Sequence, residues 1–203
     1  MRSDRDRFQK LEAVQVPPQR LGQPRRTSRA NSPWFASSLT FQAALTRGLD
    51  YDSEFRRTVR SSLRGPTRPG GRDRVWVLTH PGLDVPSRPD PVPVTIEFHE
   101  SPTYDTFGLD PQDFPLILAD PGQESPHRHG NDALCLWFPG DPAEKRWHHT
   151  DGLVALYNLA RNHLFFETHW RATGGLGGPG QTGGEWLGDE AAHGYYEALM
   201  EVS

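Results

Sequence analysis

The only cysteine of this 203-residue chain, Cys135, follows two histidines and an asparagine within nine residues, namely His127, His129 and Asn131. A thiolate attacks carbonyl carbons readily and also leaves readily from the resulting thioester. Imidazole transfers protons near neutral pH, and an imidazole or amide N–H can stabilise the oxyanion of a tetrahedral intermediate. These residue types therefore predict acyl transfer through a thioester on Cys135.

Two other interpretations of the same residues compete with this one. A free cysteine flanked by leucines can be a small buried hydrophobe, in which case the histidines are ordinary loop residues. A zinc site could in principle use His127, His129, Cys135 and His148. However, no C-x-x-C or H-x3-H pair gives the ligand spacing typical of such sites, and we expect no metal ion.

A glycine-rich segment raises the question of a nucleotide cofactor. Gly175, Gly177 and Gly180 fit the pattern G-x-G-x-x-G. A dinucleotide site needs a strand before this pattern and a helix after it. Here a helix is predicted before the pattern, and Pro179 lies inside it. We therefore expect no cofactor.

The composition limits the class of the protein. The net charge is −4 at pH 7, which by itself does not suggest a nucleic-acid partner. The sequence has no run of about 18 apolar residues that could span a membrane, and its N-terminus lacks the apolar region of a secretory signal. A single cysteine cannot form an internal disulfide. We expect a cytoplasmic protein that binds neither nucleic acid nor membrane.

The charge is unevenly distributed and indicates two regions. The first 30 residues carry eight basic and three acidic side chains, and they show no sustained apolar periodicity. We expect residues 1–31 to be a disordered basic arm, either a solvated tail or a segment that folds on an acidic partner. Residues 32–203 are expected to form one domain.

Helices are predicted on both sides of the central region. Apolar spacing favours a first helix from about Pro33 to Gly48, and shorter helices over 54–63 and 190–200. The strongest helical pattern begins at Thr150-Asp151, which is a good N-cap pair, and ends before Gly174. His148 and His149 at the start of this helix are expected to face solvent.

Three strands are predicted between the helices, because these segments are rich in β-branched and aromatic residues or are short apolar runs. They are Arg74–Thr79, Val92–Glu100 and Phe114–Ala119. Short connections between sequential strands favour an antiparallel meander. The fold class is therefore predicted as α+β, with an antiparallel meander packed against helices and the cysteine segment directly after the last strand.

A helix, an antiparallel meander and then His…Asn…Cys-Leu resemble the ubiquitin-conjugating fold. The chain is more closely similar to bacterial relatives from antiphage operons that also encode cGAS-like nucleotidyltransferases, the CBASS systems. The segments that carry this resemblance are His127-Arg128-His129-Gly130, Leu134-Cys135-Leu136, Trp147, Phe165-Phe166-Glu167, Trp170, Thr173-Gly174 and Glu185–Gly194.

The resemblance implies a ubiquitin-conjugating-like domain with Cys135 as its nucleophile. His127, His129 and Asn131 all stay open as the oxyanion donor, since no proline follows His127. The Glu-Trp…His element at the C-terminus brings His193 into consideration near the thiol. The resemblance further implies antiviral defence, with a cGAS-like nucleotidyltransferase as acyl donor or partner and a lysine amine or other nucleophile as acceptor. Activation would come from a separate activating enzyme, unless the system works without one.

Two other functions are compatible with the sequence. The domain could be a non-catalytic scaffold of the same fold in which Cys135 is inert. Alternatively, it could be a thiol peptidase or deconjugating enzyme that pairs Cys135 with His193 or His163.

Overall fold

The computed structural model describes residues 34–47, 49, 59–65, 73–177 and 183–187. The predicted basic arm over 1–31 and the predicted last helix over 190–200 lie outside the described residues. Within the described part, the fold is α+β, with two α-helices and one four-stranded antiparallel sheet. The elements are α1 (Leu39–Leu45), β1 (Arg60–Arg64), β2 (Val75–Leu83), β3 (Val92–His99), β4 (Leu116–Ala119) and α2 (Gly152–Thr173).

The sheet is a simple meander in which each strand pairs with the next one in the chain, in the order β1-β2-β3-β4. In the register, Leu78 lies opposite Ile96, and Ile96 in turn lies opposite Ile117. The predicted antiparallel meander is therefore confirmed, and the predicted strands at 74–79, 92–100 and 114–119 correspond to β2, β3 and β4.

One face of the sheet is apolar and packs on both helices. Along β3, every second residue is buried, and this period of two is that of a strand with one face in the core. The ring of Phe41 in α1 packs edge-on against Phe98, with ring centroids 5.7 Å apart. Tyr157 in α2 packs against His80 of β2, with ring centroids 5.5 Å apart. The core therefore lies between the sheet and the two helices.

Helix α2 buries an apolar stripe at helical spacing, which confirms the strongest helical prediction. The buried residues of the stripe are Leu153, Leu156, Tyr157, Ala160 and Leu164. A short 3-10 turn over His149–Asp151 precedes the helix, and the Asp151 side chain accepts the backbone N–H of His148.

Gly152, the first residue of α2, allows α1 and α2 to approach closely. It has φ of 85°, and an added Cβ would lie 2.9 Å from the carbonyl oxygen of Arg47 just after α1. A side chain at this position would meet both the left-handed backbone penalty and that carbonyl.

The predicted helix over 54–63 is wrong for the residues that the structure describes. Arg60–Arg64 form β1 instead, and all five residues are exposed. The helical prediction rested on short-range spacing, whereas hydrogen bonding to β2 decides the conformation here. Local sequence carries little information on such a pairing.

The boundaries of two other elements differ from the predictions. The first helix begins at Leu39, and the Ser38 side chain caps it by accepting the N–H of Phe41. Strand β2 continues to Leu83, past the predicted break at Pro81-Gly82, through an irregularity in its pairing with β3. Proline is tolerated at such a bulge because no ladder hydrogen bond is required of it there.

Among the described residues, no helix combines the length and the apolar character that a membrane crossing would need.

The packing predicts a large difference between two aliphatic truncations. Ile96 is fully buried, whereas Leu63 is 66% exposed. We expect Ile96→Ala to lower the free energy of unfolding by about 2–5 kcal/mol, because it leaves a cavity in the core. The matched control Leu63→Ala should change it by less than about 0.5 kcal/mol. Urea unfolding followed by tryptophan fluorescence measures both, and equal effects would contradict the described core.

Candidate functional site

Cys135 lies on a short hairpin that places it opposite His127. An antiparallel bridge joins Arg128 to Leu134, and the backbone N–H of Cys135 donates to the carbonyl oxygen of His127 at 3.1 Å. Directly opposite residues in an antiparallel pair have Cβ atoms about 4.5–5.5 Å apart. The imidazole of His127 therefore belongs to the immediate surroundings of the thiol.

The hairpin is joined to the sheet on its cysteine side. The N–H of Leu134 donates to the carbonyl oxygen of Ile117 in β4 at 2.7 Å. Leu134 and Trp137 are part of the apolar core, and Cys135 between them is 6% exposed. Its Sγ lies 3.9 Å from the carbonyl oxygen of Trp137. The thiol is thus held at a fixed place in the fold, and little of it meets solvent.

The other side of the hairpin is fastened to α2 by a buried ion pair. Nε and Nη2 of Arg128 each donate to one oxygen of the Glu167 carboxylate, both at 2.9 Å. This bidentate geometry gives a stronger arginine–carboxylate interaction than a single hydrogen bond does. Arg128 Nη1 also donates to the carbonyl oxygen of Ala119 at the end of β4 and to Asp132 in the hairpin. One guanidinium therefore joins the sheet, the hairpin and the helix.

Glu167 is completely buried and receives two further partners from its own helix. His163 Nε2 lies 3.2 Å and Arg171 Nη1 lies 3.4 Å from its carboxylate oxygens. Burial alone would raise the pKa of Glu167, but the hydrogen bonds and positive charges of His163 and Arg128 outweigh it. The net result is a pKa far below the usual range of a glutamate, so Glu167 stays ionised.

The C-terminal Glu-Trp element lies against His127. The rings of His127 and Trp186 stack with centroids 4.2 Å apart. The segment is held on the end of α2, since the N–H of Glu185 donates to Thr173 Oγ1 at 2.8 Å. An added Cβ on Gly184 would collide with the carbonyl of Trp170, so this return of the chain requires a glycine. His127 and Trp186, 59 positions apart in sequence, thus meet on the cysteine hairpin.

His129 is half-buried in the turn of the hairpin. Its ring packs edge-on against Phe114, with centroids 6.2 Å apart. Burial lowers the pKa of His129, and the charge of His163 lowers it further. Burial and the charge of His163 therefore favour the neutral form of this imidazole.

The predicted site residues divide into three groups. His127, His129 and Cys135 lie together on one hairpin. Asn131 is exposed at its tip, where its Oδ1 accepts the N–H of Ala133 at 3.2 Å. His193 lies outside the described residues. The roles of all five in catalysis stay predictions.

The sequence did not predict the ion pair between Arg128 and Glu167, although both residues lie in segments that carry the family resemblance. The contact between His163 and Glu167 could have been predicted, because these two residues stand four apart on the buried face of a predicted helix. His149 was wrongly expected to face solvent. Its side chain is 16% exposed, whereas that of His148 is 48% exposed.

Removing the buried carboxylate should be costly. Glu167→Gln keeps the shape of the side chain but removes the buried counter-charge of the Arg128 guanidinium, which then keeps only the partly exposed carboxylate of Asp132. We expect a loss of about 3–5 kcal/mol in the free energy of unfolding. The control Glu144→Gln, in an exposed turn, should change it by less than about 0.5 kcal/mol. Urea unfolding of the two variants at pH 7 tests this, and a small effect of Glu167→Gln would show that the pair contributes little.

The pH dependence of stability follows from the same carboxylate. A glutamate whose pKa is depressed by folding stabilises the folded state above its unfolded pKa of about 4.3 and loses this effect as the pH falls below that value. We expect the free energy of unfolding to fall more steeply between pH 5 and pH 3.5 in the wild type than in Glu167→Gln. Parallel decreases in urea titrations of the two proteins would contradict this assignment.

Comparison of the chain with protein-family models, with curated proteins and with solved structures finds no match.

Proposed function

We propose that this protein is a cysteine-dependent conjugating enzyme with a ubiquitin-conjugating-like fold. The observation that carries the proposal is the hairpin that sets Cys135 opposite His127 and is fastened to α2 by Arg128 and Glu167. Thioester chemistry needs a thiol, a proton acceptor and a rigid support, and we assign these roles to Cys135, to a hairpin imidazole and to the Arg128–Glu167 pair.

In the first step, Sγ of Cys135 attacks the carbonyl carbon of an activated C-terminal acyl group. The S–C bond forms, the bond to the leaving group breaks, and the thiol proton passes to an imidazole. The hairpin offers His127 and His129 for this role. In the second step, an amine attacks the thioester carbonyl, the amide bond forms, the amine loses a proton and the thiolate leaves.

Several features of the described fold support this assignment. The meander leads directly into the cysteine hairpin, and a long helix follows, in the order that the family resemblance implies. The Glu-Trp element quoted in that resemblance packs on the hairpin histidine. By the same resemblance, the proposed acyl donor is a cGAS-like nucleotidyltransferase, the proposed setting is antiphage defence in the bacterial cytoplasm, and a separate activating enzyme supplies the activated acyl group where one is needed.

The burial of Cys135 adds a requirement to the mechanism. Because Cys135 as a residue is only 6% exposed, a protein C-terminus can reach its thiol only when neighbouring residues move. The surroundings of the hairpin must therefore open by a local movement, without global unfolding, before acyl transfer.

A covalent adduct is the direct test of the proposal. The wild-type protein, incubated with the nucleotidyltransferase and any activating enzyme from the same operon, should form an adduct that reductant cleaves. We expect Cys135→Ala to form none and Cys135→Ser to form an ester that resists reductant. Non-reducing gels and intact mass spectrometry distinguish these products. If wild type forms no adduct under these conditions, the proposal loses its basis.

A non-catalytic scaffold of the same fold is favoured by one observation, the near-complete burial of the thiol. The two functions differ in the reactivity of Cys135, and because the chain has a single cysteine any labelling reports on this residue alone. In an acyl-transfer site, iodoacetamide should modify the folded protein faster than the protein globally unfolds. Labelling that occurs only as fast as unfolding, measured by mass spectrometry against urea-jump kinetics, would favour the scaffold.

A further inference from the structure

A second group of chemically capable side chains, none of them in the cysteine hairpin, converges at the turn before α2. Asp113 lies between two neighbouring histidines, with Oδ2 at 3.2 Å from His148 Nε2 and Oδ1 at 2.7 Å from His149 Nδ1. One atom from each residue can be chosen so that all three lie within 4.8 Å of one another. Nothing in the proposed conjugation chemistry uses these residues.

Two of the three side chains are fixed by their surroundings. Asp113 ends the 3-10 turn Pro111–Asp113, and its Oδ1 also accepts the backbone N–H of His149 at 2.9 Å. The His149 ring packs against Phe41 of α1, with centroids 5.4 Å apart. The side chains of Asp113 and His149 are only 15% and 16% exposed. Such fixed donors have little side-chain freedom left to lose when a ligand binds.

We propose that Asp113, His148 and His149 bind a divalent zinc ion. Two imidazole nitrogens and one carboxylate oxygen form a donor set that Zn²⁺ favours, with Zn–N of about 2.0–2.1 Å and Zn–O of about 2.0–2.2 Å. Tetrahedral geometry at these bond lengths separates neighbouring donors by roughly 3.3 Å. His148 Nε2 lies 3.2 Å from Oδ2 and His149 Nδ1 lies 2.7 Å from Oδ1, so coordination by a single oxygen requires the Asp113 carboxylate to reorient towards one of the two histidines. One donor atom from each residue already lies within 4.8 Å of the other two.

The surroundings of His148 allow the tautomer that metal binding requires. Its Nδ1 lies 2.8 Å from Thr150 Oγ1 and 3.3 Å from the backbone nitrogen of Thr150. The backbone contact requires Nδ1 to accept, whereas the hydroxyl can donate to Nδ1 or, in the tautomer with Nδ1–H, accept from it. In that tautomer Nε2 presents its lone pair on the side of Asp113. Metal-binding histidines commonly have their other ring nitrogen held by such a hydrogen bond.

The exposure of His148 determines the kind of site. Its side chain is 48% exposed, so the ion would be reached from solvent and would complete its coordination with water. Three protein ligands and a water are the arrangement of an open zinc site, in contrast to the closed four-ligand sites that are purely structural. The ion would also link the turn at Asp113 to the start of α2, and its binding free energy would therefore add to folding stability.

Zinc titration of the tag-free full-length protein, freed of metal with a chelator, tests the proposal. We expect isothermal titration calorimetry to show one equivalent of bound Zn²⁺. The melting temperature should rise by about 5–10 °C when free zinc is a hundred times the Kd. Cobalt substitution should give the visible absorption of a four-coordinate Co²⁺ ion. The experiments are repeated in Cys135→Ala, where binding must persist because the thiol is not one of the proposed ligands.

Three variants and a control assign the ligands. His148→Ala and Asp113→Asn should each abolish the zinc-induced melting shift, and Thr150→Val should weaken binding by about 10–100-fold. His169→Ala removes a partly exposed histidine that faces Glu185 elsewhere on the surface, and it should bind zinc as the wild type does. Circular dichroism verifies that the variants are folded, and His148, being half-exposed, can be replaced with little risk to the core.

Two results would overturn the proposal. One is the absence of saturable one-to-one binding by the wild type. The other is equal zinc affinity in the wild type and in His148→Ala, which would place any bound ion on other histidines. Either result would leave three side chains joined only by hydrogen bonds, and neither would affect the proposed role of Cys135.

Discussion

A single buried carboxylate determines how the parts of this domain are joined. Glu167 is completely inaccessible to solvent, and a charge in such a place requires partners that satisfy it. Arg128 provides two hydrogen bonds and at the same time binds the end of β4. The position of the hairpin relative to α2 is thus set by the need to neutralise this charge. Apolar packing alone would tolerate small shifts between these elements, whereas a two-pronged ion pair has one favourable geometry.

The parts of the fold that were predictable from sequence are those with a strong local pattern. In β3 the sequence itself alternates between residues that are buried and residues that are more exposed. In α2 the five members of the apolar stripe recur at helical spacing between Leu153 and Leu164. Strand β1 was not predictable, because Arg-Ser-Ser-Leu-Arg has no alternation and becomes a strand only by pairing with β2. The predicted helix there failed because spacing over so short a segment does not distinguish the two conformations.

The candidate site was predicted in part for a comparable reason. His127, His129 and Cys135 are close in sequence, and a turn between them brings them together with no information from the rest of the chain. The partners of this hairpin come from distant positions: Arg128 pairs with Glu167, 39 residues away, and His127 stacks on Trp186. Such contacts depend on the tertiary arrangement, which local residue patterns do not encode. The burial of the thiol likewise follows from packing that no short motif specifies.

Strand β1 has a consequence for how copies of the protein meet in solution. It lies at the end of the sheet order with all five residues exposed, including Leu63, and an edge of this kind can template aggregation. Symmetric antiparallel pairing of two such edges about Ser62 would place Arg60 of one copy opposite Arg64 of the other. Like charges directly opposite each other across strands are destabilising. This repulsion would disfavour edge-to-edge self-association in this register, although the pairing of Arg64 with Glu97 offsets part of the charge.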